Sequence, residues 1–582
     1  MSCEFIKQLT KLRKLSLEAV DHTEKFDDFK RYMHVERAVE LDLRCLLRDL
    51  NKSPHKRLVL LCGSAGDGKS HLLSYLKNSD EEQLLKNYEV YNDATESSAP
   101  NLTSIDTLAE KLQDYDDDHY LIDDGKKLIL AINLGTLSNF IESDQGRHFS
   151  KLKDYVTNND IFDSFSEMTE NDPASVFQHI NFSDYQMFSL RENGVETDYL
   201  EKLFGRVFNQ QTDNPFYKVY KSQQICSLCT KCPVRHNYEF VMNENIQKSI
   251  IDKIVEIIIK DKMIVSTREI LNLIYDLLVH PQFSFGSFCG KITSDMTYLT
   301  DYIQYTTPML LYEYEGISVM IDHIRDYDFL KDRKAEMDLA TISFYTLDNI
   351  EFSFLDATEN TPYEFLKKGT RLTELGEMQP ELKKMIYRFI VRLKDMKGDY
   401  TERQEIESFS NYLKCLYYQN NPNKKNKIMA KLYDDTKKAI LKWNGYFEEG
   451  LICIDETNEH YWILEQIDLK PMANGTIHID SEEITKFSTL LNLKFRKNNG
   501  LSNECVNVCI DYALYIMICM MKDGYLPSIQ DKNRHANFEG VIRQVIEFGS
   551  KDSKIILVPK DGEADRIVFE DTGFALEFKV VD

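Results

Sequence analysis

The residues with the clearest chemical potential are eight consecutive positions that begin at Gly63 and end at Ser70. They read Gly-Ser-Ala-Gly-Asp-Gly-Lys-Ser and match G-x-x-x-x-G-K-[ST], the phosphate-binding loop of nucleotide hydrolases. In such a loop the glycines let successive backbone N–H groups point at phosphate oxygens, and the next helix adds the free donors of its N-terminus. The motif predicts that Lys69 reaches the β- and γ-phosphates and that the Ser70 hydroxyl ligates Mg²⁺. The residues expected to contact nucleotide are Gly63, Ser64, Ala65, Gly66, Asp67, Gly68, Lys69, Ser70 and His71.

The segments on either side of this loop are the ones that the motif requires. The apolar run from Arg57 to Cys62 predicts a buried strand, and His71 to Leu76 has the apolar spacing of a helix. Strand, loop and helix together predict that the chain binds ATP or GTP. Further along, Leu128 to Gly135 reads as a central parallel strand. Strands that alternate with helices predict a doubly wound α/β sheet, in which ligands bind beyond the carboxyl ends of the strands.

Hydrolysis also needs a carboxylate that holds the Mg²⁺ shell, and this acid should end a hydrophobic strand. Asp123 and Asp124 close the short run that begins at His119, whereas Asp93 follows the run from Tyr88 to Tyr91. Neither run has four clean apolar residues. The sequence therefore leaves the choice among these three acids open.

Two further polar residues resemble the sensors of AAA+ ATPases. Asn133 ends a predicted strand, where it either orients the attacking water or simply makes a turn. Ser266 is a sensible N-cap for the next predicted helix, with Glu269 completing a capping box. Arg268, between them, either belongs only to this helix start or reaches the γ-phosphate from a helical lid.

A run of cysteines provides a candidate metal site. Cys226, Cys229, Cys232 and His236 lie within eleven residues, and three thiolates with one imidazole meet the tetrahedral demand of structural zinc. The same spacing nearly reproduces a ferredoxin run, so an Fe–S cluster completed by a remote residue such as Cys289 is the alternative. Zinc is favoured because histidine is a routine zinc ligand.

Bulk composition narrows the class of protein and its compartment. Twelve cysteines, partly clustered and partly solitary, fit a reducing cytoplasm. No apolar run is long enough to cross a bilayer, so no membrane contact is expected. A net charge of −24 argues against indiscriminate attraction to nucleic acid but not against a local basic channel. One basic patch flanks the cysteine run and would serve either DNA contact or solubility: Lys218, Lys221, Lys231 and Arg235.

Pattern changes along the chain predict three domains. Residues 1–240 form an α/β P-loop NTPase core, AAA+-like, with N-terminal helices and the cysteine-rich metal loop near its end. Residues 241–445 form a helical lid or helical domain. Residues 446–582 form a C-terminal α+β or mostly β domain, in which a helix from Val506 to Met521 interrupts short strands.

Taken together, these segments resemble the DptF family, the ATPase-like components of bacterial DNA phosphorothioation-dependent restriction systems. The resemblance rests on Leu61 to Leu73, Ala131 to Phe140, the cysteine run ending Cys232-Pro233, Ser266 to Glu269, and Ala439 to Gly445. It implies a cytoplasmic antiviral defence role with DptG-like and DptH-like partner subunits, against DNA that lacks sulfur in its backbone. It also implies ATP and Mg²⁺ contacts at Lys69 and Ser70 and DNA contact made directly or through partners. Whether the protein is an oligomer is left open by the sequence. No nuclease residue carries over.

Two functions follow from these expectations. The first is an ATP-hydrolysing motor or switch of the restriction complex, in which Lys69, Asn133, Arg268 and either Asp123 or Asp124 act on the nucleotide. The second is a scaffold that binds ATP without significant hydrolysis and recruits partner proteins. The second is motivated by the weak signal for a strand-end carboxylate, since neither candidate run has four clean apolar residues before its acid.

Overall fold

The computed structural model divides into two compact units, residues 1–188 with 197–401 and residues 189–196 with 402–582. The residues that the structure describes are 3–18, 27–64, 66–79, 81–92, 103–162, 172, 174–222, 231–283, 302–331, 338, 341–342, 344–345, 350–368, 380–398, 403–421, 424, 427–472, 482–497, 505–548, 554–562, 565–571 and 575–581.

The first unit contains a four-stranded parallel sheet. Its strands are β1 (Arg57–Gly63), β2 (Glu89–Tyr91), β3 (Lys127–Asn133) and β4 (Phe177–Asn181). They lie in the order β2-β3-β1-β4, with β1 parallel to both of its neighbours. The three strands predicted at Arg57, Tyr88 and Leu128 are thus confirmed. Because all four strands run the same way, their carboxyl ends share one edge of the sheet.

Alternate residues of β1 enter two separate cores, which is why the strand is apolar throughout. Leu58 and Leu60 pack into a core on one face, and Val59 and Leu61 pack into a core on the other. A parallel strand covered on both faces needs this continuous apolar run. The helices of the first unit are α1 (Glu4–Glu18), α2 (Asp28–Met33), α3 (Ala38–Asn51), α4 (Lys69–Ser79), α5 (Ser104–Leu112), α6 (Leu134–Glu142), α7 (Ser150–Asn158), α8 (Asp198–Phe208), α9 (Pro215–Ser222), α10 (Pro233–Val241), α11 (Glu244–Lys260), α12 (Thr267–Asp276), α13 (Thr307–Leu310), α14 (Val319–Asp326), α15 (Ile350–Thr358) and α16 (Pro380–Lys397).

The second unit combines helices with antiparallel sheets. Its helices are α17 (Arg403–Asn420), α18 (Lys427–Lys442), α19 (Tyr512–Lys522), α20 (Ile529–Arg534) and α21 (Ala536–Glu547). The remaining strands of the chain, the first of which crosses from unit to unit, are β5 (Tyr185–Arg191), β6 (Gly194–Glu196), β7 (Leu451–Asp455), β8 (Tyr461–Gln466), β9 (Leu469–Met472), β10 (Ile484–Lys486), β11 (Leu491–Lys497), β12 (Cys505–Ile510), β13 (Lys554–Pro559), β14 (Arg566–Asp571) and β15 (Leu576–Val581). They form sheets in the orders β10-β5-β6, β12-β11-β9 and β15-β14-β13-β8-β7.

The structure differs from the predicted organisation in three places. The chain divides into two compact units and not three, and the predicted boundary between residues 240 and 241 lies inside the first unit. The division between units falls near residue 401, so α17 and α18 belong with the C-terminal strands and not with the helical region. In addition, the first part of the helix expected from Val506 to Met521 is strand β12, and the helix begins only at Tyr512. Val506, Val508 and Ile510 are buried while the residues between them are exposed, which is the two-residue period of a strand. Among the helices in the described ranges, none combines the length and apolar character that a bilayer crossing requires.

Candidate nucleotide-binding site

The phosphate loop occupies the turn from β1 into α4, at the carboxyl edge of the parallel sheet. Gly66 has φ +92°, a left-handed conformation that glycine adopts without strain. At Gly63 the limit is space, because an added β-carbon would lie 2.7 Å from Asp67 Oδ2 and 2.9 Å from Phe182 Cβ. The motif glycines are therefore required by the backbone path and by close packing. Ala65, which was expected to contact nucleotide, lies outside the described residues.

The charged side chains of the loop fold back onto its backbone. Lys69 Nζ donates to the carbonyl oxygen of Ser64 at 2.7 Å, and Asp67 Oδ2 accepts from the backbone N–H of Ser64 at 2.5 Å. Arg37, the N-cap residue of α3, donates from Nη1 to the carbonyl oxygen of Asp67 at 3.0 Å. Lys69 and Asp67 are only 8% and 7% exposed. Two cations and one carboxylate thus surround the phosphate loop.

Burial disfavours ionisation of Asp67. It raises the pKa of the carboxyl above its ordinary value, although Lys69, the Ser64 N–H and Arg37 act in the opposite direction. The carboxylate also holds a backbone N–H of the kind that this motif turns toward phosphate. A bound nucleotide would therefore meet a competing negative charge within its own binding loop.

Asn133 lies beside the phosphate loop, because its strand β3 is the neighbour of β1 in the sheet. It is the last residue of β3 and pairs in register with Gly63, the first residue of the loop motif. It is also the N-cap residue of α6, and its side chain makes no capping hydrogen bond. Its position is thus compatible with the sensor interpretation. The alternative of a strand-end turn residue stays open as well, because the chain turns from β3 into α6 at Asn133.

The expectation that Asp123 or Asp124 holds Mg²⁺ is wrong. Asp123 Oδ1 accepts from the backbone N–H of Lys56 at 2.8 Å, and Asp124 Oδ1 lies 3.5 Å from Lys56 Nζ. Lys56 precedes β1, so both acids lie at the amino edge of the sheet. The phosphate loop is at the other end of this seven-residue strand, about 20 Å away. Asp123 and Asp124 come after a turn, shortly before β3 begins, and do not follow the end of a strand.

Two other acids come, in the sequence, after strands whose carboxyl ends lie at the correct edge. Asp93 follows β2 by two residues, at a position outside the described part of the chain. Asp184 follows β4 and accepts from Asn181 Nδ2 at 3.1 Å. Its negative charge acts on the thiol of Cys62, at the end of β1, whose pKa burial raises to about 12. Sequence reasoning missed Asp184 because it predicted no strand from Phe177 to Asn181.

Arg268 lies against the phosphate loop. The capping box predicted at the start of α12 is confirmed: Ser266 Oγ accepts from the Glu269 N–H, and the Glu269 carboxylate accepts from the Ser266 N–H. This box fixes the helix start so that a β-carbon on Gly66 would lie 3.4 Å from Arg268 Nε. Arg268 Nε is buried and has no hydrogen-bond partner among the described residues. A buried guanidinium N–H without an acceptor fits an anion bound at this loop.

A cavity of about 110 Å³ opens beside the loop, between α3, α4 and α12. Its wall is mainly apolar, and the loop itself forms the polar end. The lining residues that bear on function are Met33, His34, Arg37, Leu72, Leu203 and Arg268. A mostly apolar concave site with a few convergent polar groups is the usual form of a small-molecule site.

His34, on the cavity wall, belongs to a hydrogen-bonded row that sequence reasoning missed. Its Nε2 lies 3.1 Å from Glu40 Oε2, and its Nδ1 lies 3.2 Å from His71 Nε2. Its ring stacks on Tyr75 with centroids 3.5 Å apart. Burial lowers the pKa of His71 to about 4, so His71 is neutral at neutral pH. No spacing rule links His34 to the phosphate loop, because the two meet only in three dimensions.

The proposed zinc ligands are only partly within the described residues. Cys226 and Cys229 lie outside them. Cys232 is the N-cap residue of α10, and His236 follows one turn later, with Nδ1 2.5 Å from Tyr302 Oη. Burial lowers the pKa of His236 to about 4, which keeps the imidazole in the neutral form that metals bind. Within the described ranges no three candidate ligands converge, so the zinc site stays a prediction.

The basic patch beside the cysteine run is partly neutralised. Arg235 Nε donates to Glu239 Oε1 at 3.0 Å, and its guanidinium lies 4.0 Å from the ring centroid of Tyr220. These contacts give Arg235 a role within the fold. They weaken the interpretation of the patch as a DNA surface.

Two comparisons with known proteins found no relative. No family model matches the chain, and no curated protein matches it significantly. The functional reading therefore depends on the site itself. The arrangement can hold a phosphate chain on backbone donors, with Lys69, Arg37 and Arg268 as cations around it.

Proposed function

We propose that the protein is the ATP-binding, ATP-hydrolysing subunit of a bacterial restriction complex that acts on DNA without phosphorothioate modification. The observation that carries the nucleotide part is the convergence of Lys69 and Arg268 on the phosphate loop, with Arg268 Nε buried beside Gly66. The restriction part rests on the DptF-like segments alone, as do the proposed DptG-like and DptH-like partners. The P-loop NTPase class, AAA+-like, is proposed on the same loop and strand order.

Each residue has a defined task in this proposal. The loop amides and Lys69 bind the β- and γ-phosphates, and Ser70 ligates the Mg²⁺ that neutralises their charge. Arg268 stabilises the charge that develops on the γ-phosphoryl group. Asn133 positions the attacking water beside the loop, at the end of β3. The carboxylate of the metal shell is either Asp93 or Asp184.

The alternative is a nucleotide-gated scaffold that binds ATP without significant hydrolysis. It is favoured by one observation, the location of Asp123 and Asp124 at the far edge of the sheet. Without a carboxylate that completes the Mg²⁺ shell, nucleotide would bind but water would not be activated. ATP-dependent assembly with a partner, without phosphate release, would identify this function.

Turnover measured beside nucleotide binding tests the proposal. We expect the wild-type protein to bind ATP·Mg²⁺ and release phosphate, with Lys69→Ala losing both. Lys77→Ala is the matched control, because Lys77 lies on the last turn of the same helix α4. Tight binding with negligible release in the wild type would favour the scaffold. Absence of ATP binding would refute both functions.

A further inference from the structure

We infer that the outer face of the β12-β11-β9 sheet, in the second unit, binds the phosphate backbone of double-stranded DNA. The eight residues that alternate outward are Lys470 and Met472 on β9, Asn492, Lys494 and Arg496 on β11, and Cys505, Asn507 and Cys509 on β12. The inference takes only the choice of DNA as the partner from the proposed function. It does not depend on the nucleotide site.

The two sides of this sheet differ completely in character. Leu491, Leu493 and Phe495 of β11 are fully buried, as are Val508 and Ile510 of β12. Five of the eight outward residues are polar or basic, and Arg496, Lys470 and Asn507 are exposed. None of the eight outward positions is acidic, although the chain has 95 Asp and Glu residues against 71 Lys and Arg residues. The face is therefore a local basic surface on an acidic protein.

Two cations of this face oppose each other directly. Arg496 on β11 pairs in register with Lys470 on the edge strand β9. Like charges at opposing positions of an antiparallel pair destabilise the sheet. Neither residue has an ion-pair partner among the described residues. An anion placed across the two strands would remove this repulsion, and the described residues supply none there.

The composition of the face favours a duplex backbone over other anions. Lys494 and Arg496 lie on the same side of β11, about 6.8 Å apart along the strand. This spacing suits an anion with repeated charges better than one isolated anion. The amides of Asn492 and Asn507 add hydrogen-bond donors of the kind that contact phosphate and sugar. No outward residue is aromatic, so the face lacks the stacking platform that single strands need. Met472, 42% exposed, is its one large apolar side chain, which is too little to enter a membrane.

Binding at this face should be independent of sequence and sensitive to salt. Contacts to phosphates release counterions, so the logarithm of affinity falls linearly with the logarithm of salt concentration. The experiment is fluorescence anisotropy of a short labelled duplex with the full-length protein, without nucleotide, between about 50 and 200 mM salt. The test variant is Lys470→Glu/Arg496→Glu. The control is Lys427→Glu/Arg534→Glu, which changes net charge equally at exposed positions of α18 and α20.

We expect the test variant to lose at least tenfold in affinity and about two units of the salt slope, and the control to stay near wild type. The variant Lys470→Gln/Arg496→Gln tests whether lost binding is caused by misfolding. It removes the repulsion between the two cations, so its melting temperature should be no lower than that of the wild type. Equal losses in both glutamate variants would overturn the inference, as would undetectable wild-type binding. Equal or tighter binding to anionic phospholipid vesicles would assign the face to a membrane instead. Loss of ATP binding in a separate assay would leave these outcomes unaffected.

Discussion

Arg268 and Gly66 lie in contact: a β-carbon on Gly66 would stand 3.4 Å from both Cβ and Nε of the arginine. These residues are far apart in the chain, and the capping box of Ser266 and Glu269 brings them together by fixing the start of α12. The helical region therefore supplies a cation to a loop that the parallel sheet presents. Nucleotide bound at the loop would contact both elements of the first unit.

The first prediction tests the role of Arg268 at the start of α12. Arg268→Ala should keep the fold and bind ATP but lose about 10²–10³ in turnover, since it removes a charge needed in the transition state. Ser318→Ala is the control, because it removes the N-cap of α14, another helix of the first unit, and should lower the free energy of unfolding by about 1 kcal/mol with little effect on turnover per folded molecule. Steady-state phosphate release and denaturant melts measure the two effects. Unchanged turnover in Arg268→Ala would reduce Arg268 to an ordinary helix-start residue.

The second prediction concerns Asp67, whose carboxylate competes with phosphate for the loop. Asp67→Asn should bind ATP about tenfold more tightly at neutral pH, which corresponds to about 1.4 kcal/mol. Burial raises the pKa of Asp67. The contribution of this carboxyl group to the free energy of unfolding is therefore fully present below its ordinary pKa of 3.8 and is lost as the pH rises through the raised pKa. The affinity gap between wild type and variant should narrow as pH falls.

Calorimetric titration of both proteins across the acid range measures this gap. Asp49→Asn is the matched control, since its carboxylate pairs with Lys52 on the exposed surface of the same unit. Weaker ATP binding by Asp67→Asn would mean that the carboxylate shapes the loop and does not compete with the ligand.

A third prediction addresses the row formed by Glu40, His34 and His71. Burial opposes ionisation of Glu40, but the hydrogen bonds and charges of His34 and Arg44 outweigh it and lower the pKa. A lowered carboxyl pKa gives stability that is present above the ordinary value of 4.5 and is lost as pH falls through the folded value. Glu40→Gln should therefore lower the free energy of unfolding at pH 7 by about 1–3 kcal/mol, with a smaller deficit in acid.

Denaturant titrations at neutral and acid pH measure this difference. Glu82→Gln is the control, because the ion pair of Glu82 with Arg48 is solvent-exposed on both sides. Its stability should match the wild type. A deficit in Glu40→Gln that did not shrink in acid would show that packing, and not charge, is responsible.

The fourth prediction is that Cys226, Cys229, Cys232 and His236 hold one structural zinc ion. With all four positions taken by protein ligands, the site would stabilise the fold and leave no place for water. Elemental analysis should find about one zinc per chain, and Cys229→Ser should lower the melting temperature before it changes nucleotide affinity. Cys45→Ser, at an exposed free cysteine, should change neither. A brown protein with stoichiometric iron would identify an Fe–S cluster instead.

The sequence by itself determined the features whose chemistry is contiguous in the chain. The phosphate loop, its strand and its helix lie within about two dozen residues, and the capping box of Ser266 and Glu269 within four. Hydrogen bonds and dihedral angles act over such short separations, so the spacing of residue types alone predicts the loop and the capping box. Asn133 was predictable for a related reason, because an apolar parallel strand ends at the ligand edge.

Only the tertiary structure decided which remote residues meet this loop. Asp123 and Asp124 follow an apolar run, but the chain direction puts them at the opposite edge of the sheet. Arg37, His34, Phe182 and Arg268 reach the loop through packing of α3, the end of β4 and α12. Similarly, β12 is a strand because Val506 and Val508 bury one face against the unit's core. These outcomes depend on strand order and on which faces are buried together, and no local pattern of residues encodes either of them.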